Sequence, residues 1–203
     1  MPEFECIELE VINKVAYATL NRPDKANALN SKLWFEIGDV ANWVHQTPEI
    51  RALVLQGAGK HFTAGIDFSL IMQIAGETAT MQEGHKQEAL RSKIIALQDS
   101  FTALERCSKP VIASIHGSCI GGGIDLITAC DIRYASDQAV FCVKEIDLAI
   151  VADIGTLQRL PPIVGEGVAR ELAMTGRKFN AQDAQAMGLV SQVFADQDAL
   201  VAG

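Results

Sequence analysis

The segment that most constrains the fold runs from Val111 to Cys130. Val111-Ile112-Ala113-Ser114-Ile115-His116 is a short apolar run with β-branched residues, bounded by Pro110 and Gly117, which is the pattern of a buried strand. Ile124-Asp125-Leu126-Ile127-Thr128-Ala129-Cys130 reads as helix, and the triple glycine Gly121-Gly122-Gly123 lies between the two. A glycine-rich strand-to-helix turn lets a ligand approach the backbone closely. The free N–H groups of the helix's first turn then face whatever binds there, which suits an anion or a developing oxyanion. Asp125 sits in that first turn under two opposing influences. The helix dipole favours its charge and its apolar neighbours disfavour it, so the sequence leaves the balance open.

The remaining chain supplies the layers around this segment. Ile7-Glu8-Leu9-Glu10-Val11 alternates, Asn13-Lys14 can turn, and Val15-Ala16-Tyr17-Ala18-Thr19-Leu20 continues, which predicts a hairpin. Asn30 or Ser31 can cap a helix whose apolar residues Leu33, Ile37, Val40 and Val44 form a core-facing stripe. Arg51-Ala52-Leu53-Val54-Leu55-Gln56 is the next strand, closed by Gly57-Ala58-Gly59. Leu90, Ile94, Leu97, Phe101 and Leu104 mark a later amphipathic helix. Strands and helices therefore alternate, as in an α/β domain. Between Ile74 and Lys86 the chain turns polar, which predicts a mobile connection.

Composition narrows the function. The 203 residues, 49% of them hydrophobic, suit one domain with a full core, residues 1–203. A net charge of −8 without a Lys/Arg cluster removes the electrostatic basis for binding nucleic acid or an anionic membrane. The acidic start Met1-Pro2-Glu3-Phe4-Glu5-Cys6 has no basic n-region before an apolar stretch, so export is not expected, and no apolar run approaches membrane-spanning length. Cys6, Cys107, Cys119, Cys130 and Cys142 are odd in number and lack CxxC spacing, which predicts reduced core thiols in a cytoplasmic compartment.

Several other motifs are incomplete. No lysine followed by Ser or Thr completes a P-loop, and Gly117-x-x-x-Gly121-Gly122 is not the dinucleotide pattern. Gly117-Ser118-Cys119-Ile120-Gly121 has nucleophile-elbow spacing. However, His45, His61, His85 and His116 all precede Cys119, against the hydrolase order, so a packed Cys119 is the simpler reading. The histidines also lack H-x-x-x-H spacing, so no metal site is expected. Glu145 and Asp153, like Asp125, are carboxylates in apolar surroundings and together suggest acid/base chemistry. Taken singly, Asp153 could cap a helix through Thr156-Leu157-Gln158-Arg159-Leu160, and Glu145 could pair with Lys144 or Arg159.

Taken together, these segments resemble the crotonase superfamily, the enoyl-CoA hydratase/isomerase fold. Arg22-Pro23-Asp24-Lys25-Ala26-Asn27-Ala28-Leu29 is similar to the family's coenzyme A loop. His61-Phe62-Thr63-Ala64-Gly65-Ile66-Asp67 is similar to its first oxyanion segment, and Ile120-Gly121-Gly122-Gly123-Ile124-Asp125 to its second. Val143-Lys144-Glu145-Ile146-Asp147 with Ala152-Asp153-Ile154-Gly155-Thr156-Leu157-Gln158-Arg159-Leu160-Pro161 looks most like the Δ3,5-Δ2,4-dienoyl-CoA isomerases, since hydratases usually carry Glu where this chain has Asp125. The resemblance implies an α/β spiral of ββα units and a thioester oxyanion hole at the Ile66 and Gly122 N–H groups. It makes Asp125, Glu145 and Asp153 the catalytic carboxylates, with Glu145 at C2, Asp153 at C6 and Asp125 tuning Glu145. It assigns substrate and coenzyme A contacts to Arg22, Lys25, Ala26, Ala28, Ala64, Gly65, Asp67 and Gly121.

The activity that the resemblance implies is that of an acyl-CoA isomerase of fatty-acid β-oxidation, with enoyl-CoA hydratase or a non-catalytic acyl-CoA module as alternatives. No cofactor is expected beyond the coenzyme A of the substrate, and the expected assembly, where the C-terminal helices are present, is a homotrimer or a dimer of trimers. Family members continue past Asp198-Ala199-Leu200-Val201-Ala202-Gly203 into further helices, so the C-terminal helical part is expected to be incomplete.

Overall fold

The computed structural model describes residues 1–202. It opens with β1 (Ile7–Ile12) and β2 (Val15–Leu20), an antiparallel hairpin whose connecting residues Asn13 and Lys14 take φ of 52° and 69°. Two left-handed residues give a turn whose twist matches that of paired strands. A 3-10 turn at Pro23–Lys25 leads to α1 (Ser31–Gln46), which is started by Asn30, whose side chain accepts from the Leu33 N–H at 2.9 Å. The stripe Leu33, Ile37, Val40 and Val44 is fully buried, as its spacing predicts.

After β3 (Ala52–Gly57) come α2 (Phe68–Thr78) and α3 (Glu83–Glu105). The polar stretch expected as a mobile connection is therefore two helices separated only by residues 79–82. Its polarity comes from a solvent-facing surface, where Gln73 donates to Glu77 at 2.8 Å and Gln87 to Glu83 at 2.7 Å, four residues apart. Lys93 adds an ion pair to Glu77 at 2.8 Å, tying the two helices together. Only the C-terminal half of α3 enters the core, through Leu97, Phe101 and Leu104, while Leu90 and Ile94 stay half-buried. There Phe101 stacks on Trp34 of α1 at 4.7 Å, and the Trp34 indole N–H donates to the Leu97 carbonyl at 3.0 Å.

The central segment forms β4 (Val111–Ile115), β5 (Ser118–Ile120) and α4 (Gly122–Thr128), the helix starting two residues before its apolar run. The chain continues through β6 (Ile132–Ser136), β7 (Val140–Cys142), a 3-10 turn at Glu145–Leu148, α5 (Thr156–Val164) and α6 (Glu166–Thr175). It ends with β8 (Phe179–Asn180), α7 (Ala181–Ala186), β9 (Gln192–Phe194) and α8 (Gln197–Ala202). One sheet has the order β1-β2-β3-β4-β6-β9, parallel from β2 onward, and a second has the order β5-β7-β8. β4 and β6 enter the large sheet, and their successors β5 and β7 pair in the small one. After β3, Thr63 bridges Cys119 in the same way. This repetition of strand, strand and helix is the spiral of ββα units expected from the sequence. No helix among the described residues is long and apolar enough to cross a membrane.

Candidate active site

Two loops meet at the start of α4. The loop at 22–29 is knitted to the segment at 58–67 by Asn27, which is fully buried with φ of 53°. Its side chain accepts from the Arg22 N–H at 2.9 Å and donates to the Ala58 and His61 carbonyls at 2.9 and 2.8 Å. The Thr63 hydroxyl donates to the Asn27 carbonyl at 2.7 Å and accepts from the Gly65 N–H at 3.1 Å. Leu29 N–H donates to Gly65 O and Asp67 N–H to Leu29 O, at 2.8 and 3.1 Å. This parallel bridge turns the intervening Ile66 N–H away from Leu29.

Glycine is required where the two segments touch. At Gly65, with φ of +88°, a Cβ would lie 2.5 Å from the Ile120 carbonyl oxygen and 3.5 Å from the Gly122 nitrogen. That contact brings Ile66 and Gly122 into one neighbourhood. Among the described residues, neither the Ile66 nor the Gly122 N–H donates to another backbone group. The pair is thus available to an oxygen, as in an oxyanion hole. Gly121, with φ of +53°, leaves room for a carboxylate, since a Cβ there would stand 3.3 Å from Glu145 Oε1.

The three carboxylates converge behind this turn. Asp125 is buried, and its Oδ1 accepts from both the backbone N–H and the hydroxyl of Thr156, each at 2.7 Å. Burial outweighs these bonds and pushes the Asp125 carboxyl up to about 6, with the nearby Asp153 adding to the rise and Arg159 opposing it. Glu145 is pushed up further, to about 7, first by burial and then by the negative field of Asp125, with a smaller contribution from Asp153. Its buried Oε2 has no hydrogen-bond partner among the described residues.

The ion pair expected for Glu145 is absent because both cations are engaged elsewhere. Lys144 pairs with Asp147, and Arg159 forms a fork on Glu105 at 2.9 and 3.0 Å. Asp153 does not cap α5 either. The capping position is Gly155, and Asp125 supplies from α4 the acceptor that the glycine lacks. Asp153 is half-buried and lines a cleft of about 280 Å³ with Gln98, Gly155 and Arg159, and its backbone carbonyl accepts from Gln98 Nε2 at 2.6 Å.

The cations assigned to coenzyme A differ in their freedom. Arg22 bonds the Ala28 carbonyl and pairs with Asp67 at 3.0 Å, so its charge is largely spent on bracing the loop. Asp67 in turn caps α2 through the Ser69 N–H at 3.0 Å. These bonds hold the Asp67 carboxyl below the usual range, the Ser69 amide foremost. Lys25 is exposed on the same loop, where Ala26 takes the left-handed conformation and receives the Ala64 N–H on its carbonyl at 2.9 Å. A second concavity, of about 650 Å³, lies elsewhere, lined by Lys60, His61, His116 and Asp196. Cys119 is fully buried with its thiol pushed far up, so it is a packing residue rather than a nucleophile.

Comparison with known proteins sets this geometry in a family. The family model for enoyl-CoA hydratase/isomerase matches residues 10–202. The chain belongs to that family. It is 48% identical over 198 residues to the peroxisomal Δ(3,5)-Δ(2,4)-dienoyl-CoA isomerase of Arabidopsis thaliana, covering 95% of this chain and 71% of that protein. With the mitochondrial Δ(3,5)-Δ(2,4)-dienoyl-CoA isomerase of Homo sapiens the identity is 46%, covering 92% of this chain and 57% of the human protein. The chain thus spans little more than half the length of the human relative. The crystal structure of an enoyl-CoA hydratase from Bacillus anthracis superposes with a TM-score of 0.83 at 34% identity, over 98% of this chain and 73% of that one.

Sequence reasoning missed Thr156, Asn27 and Gln98. A threonine at a helix start and a left-handed asparagine carry no mark of function. Only the fold shows what they hold.

Proposed function

We propose that this chain is the catalytic unit of a Δ3,5-Δ2,4-dienoyl-CoA isomerase. The observation behind this reading is the unequal state of two buried carboxylates: Glu145 has a free oxygen and titrates near 7, while Asp125 is tied to Thr156. Glu145 is poised to take the C2 proton of a 3,5-dienoyl thioester, since a base with a midpoint near neutrality is both ionised and basic enough to act. The electron pair of the broken C2–H bond forms C2=C3 and moves the diene along the chain. Charge that develops on the thioester oxygen meets the Ile66 and Gly122 N–H groups, where one donor is typically worth about 10² to 10³ in rate. Asp153, open to its cleft, returns a proton at C6 and completes the 2,4-diene.

The greater identity to the two isomerases than to the hydratase structure supports this over hydration. So does the engagement of Asp125 Oδ1 by Thr156, which leaves only the second oxygen of that carboxylate to hold a nucleophilic water. We further propose that the reaction needs no cofactor beyond the coenzyme A of its substrate and that Lys25 is the main steering cation. A trimeric or hexameric assembly fits the exposed apolar side chains Ile146, Ile150, Val151 and Leu157 around the site. We place the protein in a reducing compartment because its five cysteines are free. The cytoplasm is our assignment, against the peroxisome and mitochondrion named for the relatives, and cell fractionation decides it.

The test is to supply 3,5-dienoyl-CoA and 2-enoyl-CoA separately and follow conjugated-diene formation and loss of enoyl absorbance. Diene conjugation far faster than hydration is expected. Rapid hydration without conjugation promotes the hydratase reading, and binding without either reaction promotes the non-catalytic one.

A further inference from the structure

We propose that Thr156 is a positioning residue that, by holding Asp125 as a charged carboxylate beside Glu145, sets the pH at which Glu145 becomes a base. This deepens the isomerase reading and rests on it.

The geometry is specific. Thr156 is the first residue of α5 and is fully buried, and both its amide and its hydroxyl donate to the same oxygen, Asp125 Oδ1, at 2.7 Å. The helix start has only Gly155 at its capping position, so Asp125 acts as the cap from a different helix. Two donors on one oxygen favour the charged form of that carboxylate. The groups facing the pair are few: Asp153, on the segment before α5, raises both carboxyls, and Arg159, on α5, lowers Asp125. The Asp125 charge is in turn the largest electrostatic contribution at Glu145 after burial. Any weakening of the Thr156 bonds therefore moves charge from Asp125 to Glu145. The Asp153 segment and Thr156 belong to one stretch of chain, which Gln98 also fixes through the Asp153 carbonyl. One short segment thus carries the acid assigned to C6 and governs the base assigned to C2.

Thr156→Val keeps the shape but deletes the hydroxyl donor, so Asp125 holds its proton to higher pH. A neutral Asp125 no longer repels charge on Glu145, and Glu145 ionises at lower pH. A hydrogen bond to a charged group is typically worth enough to move such a midpoint by about one pH unit.

The experiment titrates selectively ¹³C-carboxyl-labelled full-length wild type, Thr156→Val and Thr156→Ser by NMR, alongside the pH dependence of 3,5-dienoyl-CoA turnover. Thr156→Val is expected to raise the Asp125 midpoint by about one pH unit, to lower that of Glu145, and to move the acid limb of the rate profile down. Thr156→Ser, which keeps the donor, is expected to retain the wild-type midpoints. Should the valine variant fail to fold, Thr156→Ala removes the same hydroxyl. A uniform loss of rate with both midpoints unmoved overturns the proposal and leaves Thr156 a structural contact. Absence of dienoyl turnover in wild type instead overturns the isomerase reading, and the carboxyl midpoints still decide the electrostatic link.

Discussion

Replacing Glu145 by Gln should make the folded chain more resistant to alkaline pH. In the folded chain Glu145 titrates near 7, against an ordinary glutamate value of 4.5. A carboxyl whose midpoint is raised on folding favours the fold while protonated, below about 4.5, and that advantage is lost as pH rises through about 7. At about 1.36 kcal/mol per pH unit, ionising Glu145 costs the fold about 3 kcal/mol in all, of which about 2.5 kcal/mol falls between pH 5 and pH 8. Glutamine cannot ionise, so this part of the decline should vanish. The unpartnered amide lowers stability equally at both pH values and cancels in the comparison. Urea unfolding of wild type and Glu145→Gln at pH 5 and pH 8 measures the difference. In a chain of this size about 2.5 kcal/mol corresponds to roughly 5 to 10 °C in Tm, so calorimetry offers a second reading. Parallel declines in the two proteins would refute the claim that Glu145 is forced to ionise in a dry, negative environment. The same substitution should abolish most isomerase turnover, which makes the site a place where stability is given up for function.

Asp153→Asn should lower isomerase turnover by about 10² to 10⁴ with little change in coenzyme A affinity, as expected for one general acid, and steady-state kinetics with calorimetric binding separate the two effects. Lys25→Glu should weaken coenzyme A binding and flatten its dependence on salt, whereas Arg22→Ala should chiefly lower thermal stability by releasing Asp67 and the Ala28 carbonyl; binding isotherms across ionic strength distinguish them. Gly65→Ala places a methyl 2.5 Å from the Ile120 carbonyl oxygen at a φ of +88°. It should destabilise the fold by about 1 to 3 kcal/mol and, by spreading Ile66 from Gly122, reduce turnover in the variant that remains folded, as read by denaturation and rate together.

Elements whose signal is local were legible in the amino-acid order. Alternation and a turn-compatible Asn13-Lys14 pair specify the hairpin, apolar residues three and four apart place one face of α1 in the core, and short apolar runs specify β3 and β4. The three carboxylates were legible too, because charge among apolar neighbours stands out in any one-dimensional reading. What those residues do was set by contacts between distant segments. Sequence pattern marks the face of a helix but not whether anything covers it, so the end of α2 and the first turn of α3, between Ile74 and Lys86, read as a connection although polar pairs line their helical surface. Partners far apart in sequence were equally hidden: Arg22 is consumed by Asp67, Arg159 by Glu105, and Asp125 by Thr156, so Glu145 keeps a free oxygen. That burial outweighs the hydrogen bonds on Asp125 was likewise decided only by folding. The two Thr156 bonds act on a single oxygen, whereas desolvation sums over every element packed around the carboxylate, and in this fold the sum is larger.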